Sequence, residues 1–223
     1  MGSLEERRIV IGLVLDRPVT EVLCLGAHPD DIEIGALGLV RRLAERHEEA
    51  FFRFVVLTGN VERHTEAEHS MTSLLGERAS LQMGNFRDGF LPYEAPAEAK
   101  RFVRSAIGDS TPQVVLTPRE DDRHQDHAFV ASLAQQLLRD HLILEYEIPK
   151  YDGDLGRPQA FVALTEEEAE AKVRHLEEHF GSQHEKKWYD DSGLRALMRL
   201  RGIESNSPSG YAEAFHVSKL WLE

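Results

Sequence analysis

An α/β fold, with a mostly parallel sheet, helices on both of its faces and an elaborated C-terminal third, is what this sequence predicts from three observations. Short apolar runs recur at Val22-Leu23-Cys24-Leu25, at Phe52 to Leu57 and at Val114-Val115-Leu116-Thr117. Each is followed by a longer stretch whose apolar residues fall at helical spacing. After Pro149 the alternation gives way to a Gly/Asp/Pro-rich segment, Asp152 to Pro158. Short apolar runs suit strands buried on both faces of a parallel sheet. Regular alternation of strand and helix implies right-handed crossovers, and so a Rossmann-like layering.

The elements follow in order. Residues 1–18 read as a leader or tag-like segment. A strand spans Glu21 to Ala27 and stops near Gly26, and a helix follows over Ile34 to Arg46 with Ile34, Leu37, Val40, Leu43 and Ala44 on one face. Phe52 to Leu57 is a second strand, ended by Thr58-Gly59-Asn60, and Glu66 to Leu75 is a helix closed near Gly76. Gly89 and Pro92 mark Phe86 to Glu94 as a loop. Ala97 to Ile107 is a helix, Val114 to Thr117 a third strand, Asp126 to Arg139 a helix and Leu142 to Ile148 another strand. Beyond the Asp152 loop, Phe161 to Leu164 reads as a strand and Glu166 to Phe180 as a helix. With no internal repeat or low-complexity tract, residues 1–223 are expected to form a single domain.

Composition excludes several classes. The chain has 26 Lys+Arg against 39 Asp+Glu, a net charge of −13, which opposes a nucleic-acid surface built on clustered basic residues. The one cysteine, Cys24, sits inside an apolar run, so it reads as a buried thiol and a reducing cytoplasm is the expected location. Ile9 to Leu15 is apolar but short and follows Glu5 and Glu6, unlike a secretory signal, and no run reaches membrane-spanning length. A homo-oligomer is compatible with the sequence.

Two segments carry the chemistry, each just after a predicted strand: Gly26-Ala27-His28-Pro29-Asp30-Asp31-Ile32-Glu33-Ile34-Gly35, and Arg119-Glu120-Asp121-Asp122-Arg123-His124-Gln125-Asp126-His127. In open α/β sheets, ligands bind at the carboxyl ends of strands. Imidazole and carboxylate donors suit zinc, whose catalytic sites take three protein ligands and leave one position open. His28 and Asp31 can converge on one ion, with His127 as third ligand from the other loop, while His124 faces the same crevice. Taken alone, Asp30 or Asp31 could as well cap the following helix. Asp121 and Asp122 could be loop or cap residues, and a solitary His127 could be an ordinary half-buried histidine. The joint occurrence of two dense His/Asp clusters favours a metal site.

The pattern Ala27-His28-Pro29-Asp30-Asp31-x-Glu33-x-Gly35, paired with His124-x-Asp126-His127, resembles the PIG-L (LmbE-like) family of zinc-dependent de-N-acetylases. The likeness runs from about Val22 to Phe215 and includes Ser182-Gln183 and Tyr211-Ala212-Glu213-Ala214-Phe215. It implies one zinc ion per chain on His28, Asp31 and His127, with Asp30 as general base and His124 stabilising the oxyanion, which it can do if protonated. It further implies that Asp126 orients a histidine from behind and that Arg63, in Arg63-His64-Thr65-Glu66, touches substrate. Two positions depart from the family pattern: Leu37-Gly38 stands where Gly-Gly is usual, and Gln125 where Pro is common.

The expected reaction removes an N-acetyl group from a small N-acetylated amino sugar or glycoconjugate. Rival readings are an amidase on a non-sugar or thiol-conjugate substrate, a non-catalytic binding protein, and a nucleotide-binding protein. The last lacks a Gly-x-Gly-x-x-Gly after the first strand. The polar, aromatic segment from Tyr146 to Pro158 can line the pocket or lie at the surface.

Overall fold

The computed structural model describes Leu15 and residues 18–220, so the expected leader lies almost wholly outside the described residues. The elements are β1 (Glu21–Gly26), α1 (Asp31–Arg46), β2 (Phe51–Thr58), α2 (Val61–Leu75), β3 (Ala79–Phe86), α3 (Leu91–Glu94) and α4 (Pro96–Ile107). They continue with β4 (Val114–Pro118), α5 (Gln125–Leu137), β5 (Leu142–Tyr146), β6 (Ala160–Leu164), α6 (Glu166–His179), α7 (Asp191–Glu204) and β7 (Tyr211–Val217). The strands form one seven-stranded sheet in the order β3-β2-β1-β4-β5-β7-β6. Pairings from β3 across to β5 are parallel, whereas β7 runs antiparallel to both β5 and β6.

Strand alternation explains the layers. In β1, Val22 and Cys24 face the helices α1, α2, α6 and α7, while Leu23 and Leu25 face α3, α4 and α5. All four side chains are fully buried, as a strand covered on both faces requires. The chain goes from β1 outward to β2 and β3, then returns to the far side of β1 for β4. The β1/β4 boundary is therefore the switch point of the sheet, where the loops after both strands open a crevice.

Several boundaries differ from the sequence expectation. Helix α2 begins at Val61 and not Glu66, because the Asn60 side chain accepts the Arg63 N–H at 2.9 Å as its N-cap. The 86–94 loop contains the short helix α3, and β5 ends at Tyr146, two residues before the predicted Ile148. Strand β3 was not anticipated: Ala79-Ser-Leu-Gln-Met-Gly-Asn-Phe86 has no apolar run, being an edge strand. Leu37-Gly38 does not loosen α1. A Cβ on Gly35 would lie 2.2 Å from the Tyr146 ring and one on Gly38 2.6 Å from Leu164, so these two glycines already carry the close approach.

Beneath α1 lies a buried polar chain. His175 Nε2 stands 2.8 Å from Ser70 Oγ, which donates to Glu33 Oε1 at 2.7 Å. Burial, with the charges of His179 and Arg41 adding to it, pushes His175 down to about 3, and burial lifts Glu33 to about 8. The unfolded chain takes up the His175 proton below about pH 6.5, the folded chain only near 3, so the His175 contribution to stability falls as pH drops through this window, while the raised Glu33 contributes with the opposite sign. Between pH 6.5 and 5 this histidine should account for a loss of about 1–2 kcal/mol. Denaturant unfolding of wild type and His175→Gln across that range checks it: the variant should show the smaller decline.

Candidate active site and metal centre

The crevice is built by the β1–α1 loop and the β4–α5 loop. Asp31 holds the first in shape, since its Oδ2 accepts the backbone N–H of Ala27 and of His28, each at 2.8 Å. Its other oxygen is left to face the histidines: Oδ1 lies 3.4 Å from His28 Nδ1 and 3.3 Å from His127 Nε2. Those two nitrogens are 3.0 Å apart. Ligand atoms about 2.0–2.1 Å from a tetrahedral zinc stand about 3.3–3.4 Å from one another. The three atoms therefore have the spacing and chemistry for one divalent cation.

Each histidine is held from behind. His127 Nδ1 is 3.1 Å from Asp122 Oδ2, and His28 Nε2 is 3.0 Å from Asp88 Oδ1 and 3.5 Å from Asp126 Oδ2. Such outer carboxylates fix the ring and raise its basicity toward a metal. Asp126 also accepts the N–H groups of Gly89 and Leu91, at 2.7 and 3.1 Å, tying the β3–α3 loop to α5. Burial works against every charge here, yet His127 and His28 hold Asp31 well below the usual carboxylate range, and His127 with Lys150 lowers Asp122. The bond to His28 is the main cause that takes Asp88 down to about 2. Asp31 in turn raises both histidines against their burial, His28 well above its ordinary value, so the carboxylates and the two rings hold one another's charges.

Asp30 and His124 flank this cluster. Asp30 occupies the N-cap position of α1 but makes no side-chain cap bond. Its Oδ1 instead accepts from Arg63 Nη2 at 2.5 Å, and its Oδ2 accepts no hydrogen bond among the described residues. His124 is the N-cap of α5, its Nδ1 accepting the Asp126 N–H at 3.3 Å. Its ring stacks on His127 with centroids 4.5 Å apart. One ring nitrogen from each of His28, His124 and His127 falls within 4.8 Å of the others, a looser set than the one closed by Asp31.

A cleft of about 220 Å³ opens over these groups. Its walls bring in Lys150, Tyr151 and Asp152 from the segment after β5, and residues that the sequence left without a role: Asp88 after β3, and Lys186 and Trp188 between α6 and α7. The segment after Tyr146 thus lines the pocket. Asp122, read as a loop or cap residue, bonds His127, the His124 N–H and Lys150. The signal for it was its place two residues before His124 in the same cluster. Asp88 lies outside both motifs and outside the 146–158 segment, so local pattern could not find it, and the tie of Lys150 to Asp122 joins two segments that the sequence does not connect.

An open sheet with a histidine–carboxylate cluster at its switch point defines an α/β protein whose crevice carries groups that could hold a metal ion. The chain belongs to the PIG-L family, whose pattern, described as GlcNAc-PI de-N-acetylase, matches residues 23–138. It is 31% identical over 170 residues to an uncharacterized deacetylase, YaiS, of Escherichia coli (strain K12), covering 71% of this chain and 89% of that one. Among solved structures it resembles the N,N'-diacetylchitobiose deacetylase of Pyrococcus horikoshii, with a TM-score of 0.68 at 21% identity, over 89% of this chain and 84% of that one. The 4-carboxy-2-hydroxymuconate hydratase GalB of Pseudomonas putida KT2440 resembles it equally, with a TM-score of 0.71 at 17% identity over 92% and 98%. These last two likenesses concern the fold alone. Since a deacetylase and a hydratase share it, the chemistry must be argued from the site.

Proposed function

We propose that this protein is a zinc-dependent hydrolase that removes the acetyl group from an N-acetylated amino sugar or glycoconjugate. The observation that carries the reading is the convergence of His28 Nδ1, His127 Nε2 and Asp31 Oδ1 within 3.0–3.4 Å of one another on the cleft floor. Membership of a de-N-acetylase family and the Asp30/His124 pair beside that set support it. His28, Asp31 and His127 would hold the ion, which when bound polarises the acyl carbonyl and acidifies the attacking water.

The chain's own residues do the rest. Asp30, with Oδ2 free of internal bonds, takes the proton from the attacking water and later delivers it to the departing nitrogen. Arg63 aims this carboxylate, and as a cleft residue it also meets the substrate. His124 donates a ring N–H to the oxyanion. Burial and the neighbouring His127 and His28 push its pKa down, and its Nδ1 is already an acceptor, which leaves Nε2–H for the oxyanion. Asp122 and Asp126 keep the histidines oriented.

An acetate-release screen of the zinc-loaded protein on N-acetylated sugars, free and glycosylated, against N-acetyl amino acids and thiol conjugates tests the reading. Release from sugars supports it; release from the second set alone moves the assignment to an amidase of the same site. In the same assay His124→Ala should lower kcat about 10²-fold with KM little changed, since its bond exists only when the carbonyl oxygen carries charge. An unchanged kcat removes His124 from the reaction.

A further inference from the structure

We propose that Lys150 is a positioning residue that ties one wall of the cleft to the histidine cluster. Its ammonium sits 2.8 Å from Asp122 Oδ2, the same oxygen that meets His127 Nδ1 at 3.1 Å. It donates also to the Ile148 carbonyl at 3.0 Å and to Asp154 Oδ2 at 3.0 Å. Asp154 Oδ2 in turn accepts the backbone N–H of Arg123, at 2.8 Å, one residue beyond Asp122. The segment 148–154 and the β4–α5 loop are thereby laced together at two neighbouring points, with Lys150 shared by both.

This lacing matters because segment 148–154 has no strand or helix of its own, yet it contributes Ile148, Pro149, Tyr151 and Asp152 to the cleft. A segment without a hydrogen-bonded ladder takes its position from side-chain ties. Lys150 is itself almost fully buried, its side chain 10% exposed, so its charge is committed to Asp122 and Asp154 and is not free for substrate. The tie therefore sets two things together: where Asp122 holds the His127 ring, and where Tyr151 and Asp152 stand over it. The first is independent of the substrate; the second rests on the deacetylase reading, with the amine half of the substrate lying against that wall.

Three measurements on Lys150→Met, Lys150→Arg and Asp154→Asn test this. On metal-free protein, amide hydrogen exchange should speed up in both 148–154 and 119–124 of Lys150→Met, while β1 and β4 stay as protected as in wild type. Zinc affinity, by competition with a chromophoric chelator, should weaken severalfold in Lys150→Met, less than the roughly tenfold or more for losing a direct partner of a ligand, since Lys150 reaches His127 only through Asp122. KM for a substrate from the screen should rise more than kcat falls, and Lys150→Arg should restore most of each. Unaltered exchange in 119–124, or zinc affinity within twofold of wild type, overturns the proposal. If Lys150→Met does not fold, Asp154→Asn carries the test: it should speed exchange in 148–154 and raise KM, and no change in either overturns it. Absence of acetate release from every compound would count against the enzyme reading, whereas the exchange and zinc results would still decide the role of Lys150.

Discussion

Asp30→Asn should keep its fold and its zinc and lose about 10²- to 10⁴-fold in turnover, the range for removing a general base. The geometry separates this outcome from a structural one. Asp30 makes no side-chain cap bond to α1, so no hydrogen bond at the helix end disappears with its charge, and an amide oxygen can still accept from Arg63. What is lost is the ability of Oδ2 to take a proton. Initial rates, zinc content and a thermal melt on the same preparation check it. A variant with normal turnover removes Asp30 from the chemistry; a variant that melts early or loses zinc makes it a structural or ligand residue.

Asp31→Asn should do the reverse, abolishing zinc retention while leaving the fold in place. Two jobs are divided between two oxygens: Oδ2 receives the Ala27 and His28 N–H groups, and Oδ1 faces the two histidines. An asparagine can keep its oxygen on the backbone donors, which turns its NH2 toward His28 and His127, where an acceptor is required. A carboxylate ligand is replaced by a donor, and zinc affinity should drop more than about 100-fold, beyond what loss of an outer partner costs. Asp31→Ala should lose both jobs and be destabilised as well, by about 1–3 kcal/mol for the unsatisfied buried N–H groups. Chelator competition and denaturant unfolding of the pair separate the two roles; retention of zinc by Asp31→Asn would rule out Oδ1 as a ligand.

How much of this was legible in the sequence depends on distance along the chain. Strands β1, β2 and β4 are legible because burial on both faces forces short apolar runs such as Val22 to Leu25. Strand β3 is at the sheet edge with a register shift against β2, and Ala79 to Phe86 carries Ser, Gln, Gly and Asn in consequence. Strand β7 was noticed only as a family-like ending, since Tyr211 to Val217 includes Glu213 and His216 within the strand. Those polar residues are there for tertiary partners: Glu213 meets Lys172 and the N–H groups of Gly38 and Leu39, and His216 meets Glu147. The candidate site follows the same rule. His28, Asp30, Asp31, His124 and His127 lie in two compact loops after buried strands, and the fold brings them together. Asp88 reaches the same crevice from after β3 without a local pattern around it; Lys150 belongs to the segment after β5 that is legible as a possible wall, but its tie to Asp122 is not.

The antiparallel strand β7 gives the sheet an order of assembly as the chain leaves the ribosome. Residues 21–146 hold all five parallel strands and both histidine loops, and can pair as they emerge. Strand β6 cannot: among the described residues its sheet partner is β7, which stands between β6 and β5. Until residues 211–217 are made, the β5 edge and the whole of β6 wait with unpaired backbone groups, the condition under which nascent chains stick to one another. Glu213 then closes the amides of α1 from the far side as β7 inserts. A truncation before Tyr211 would thus leave every candidate catalytic residue in the chain and still yield a molecule with an open sheet, prone to aggregate before it could ever turn over a substrate.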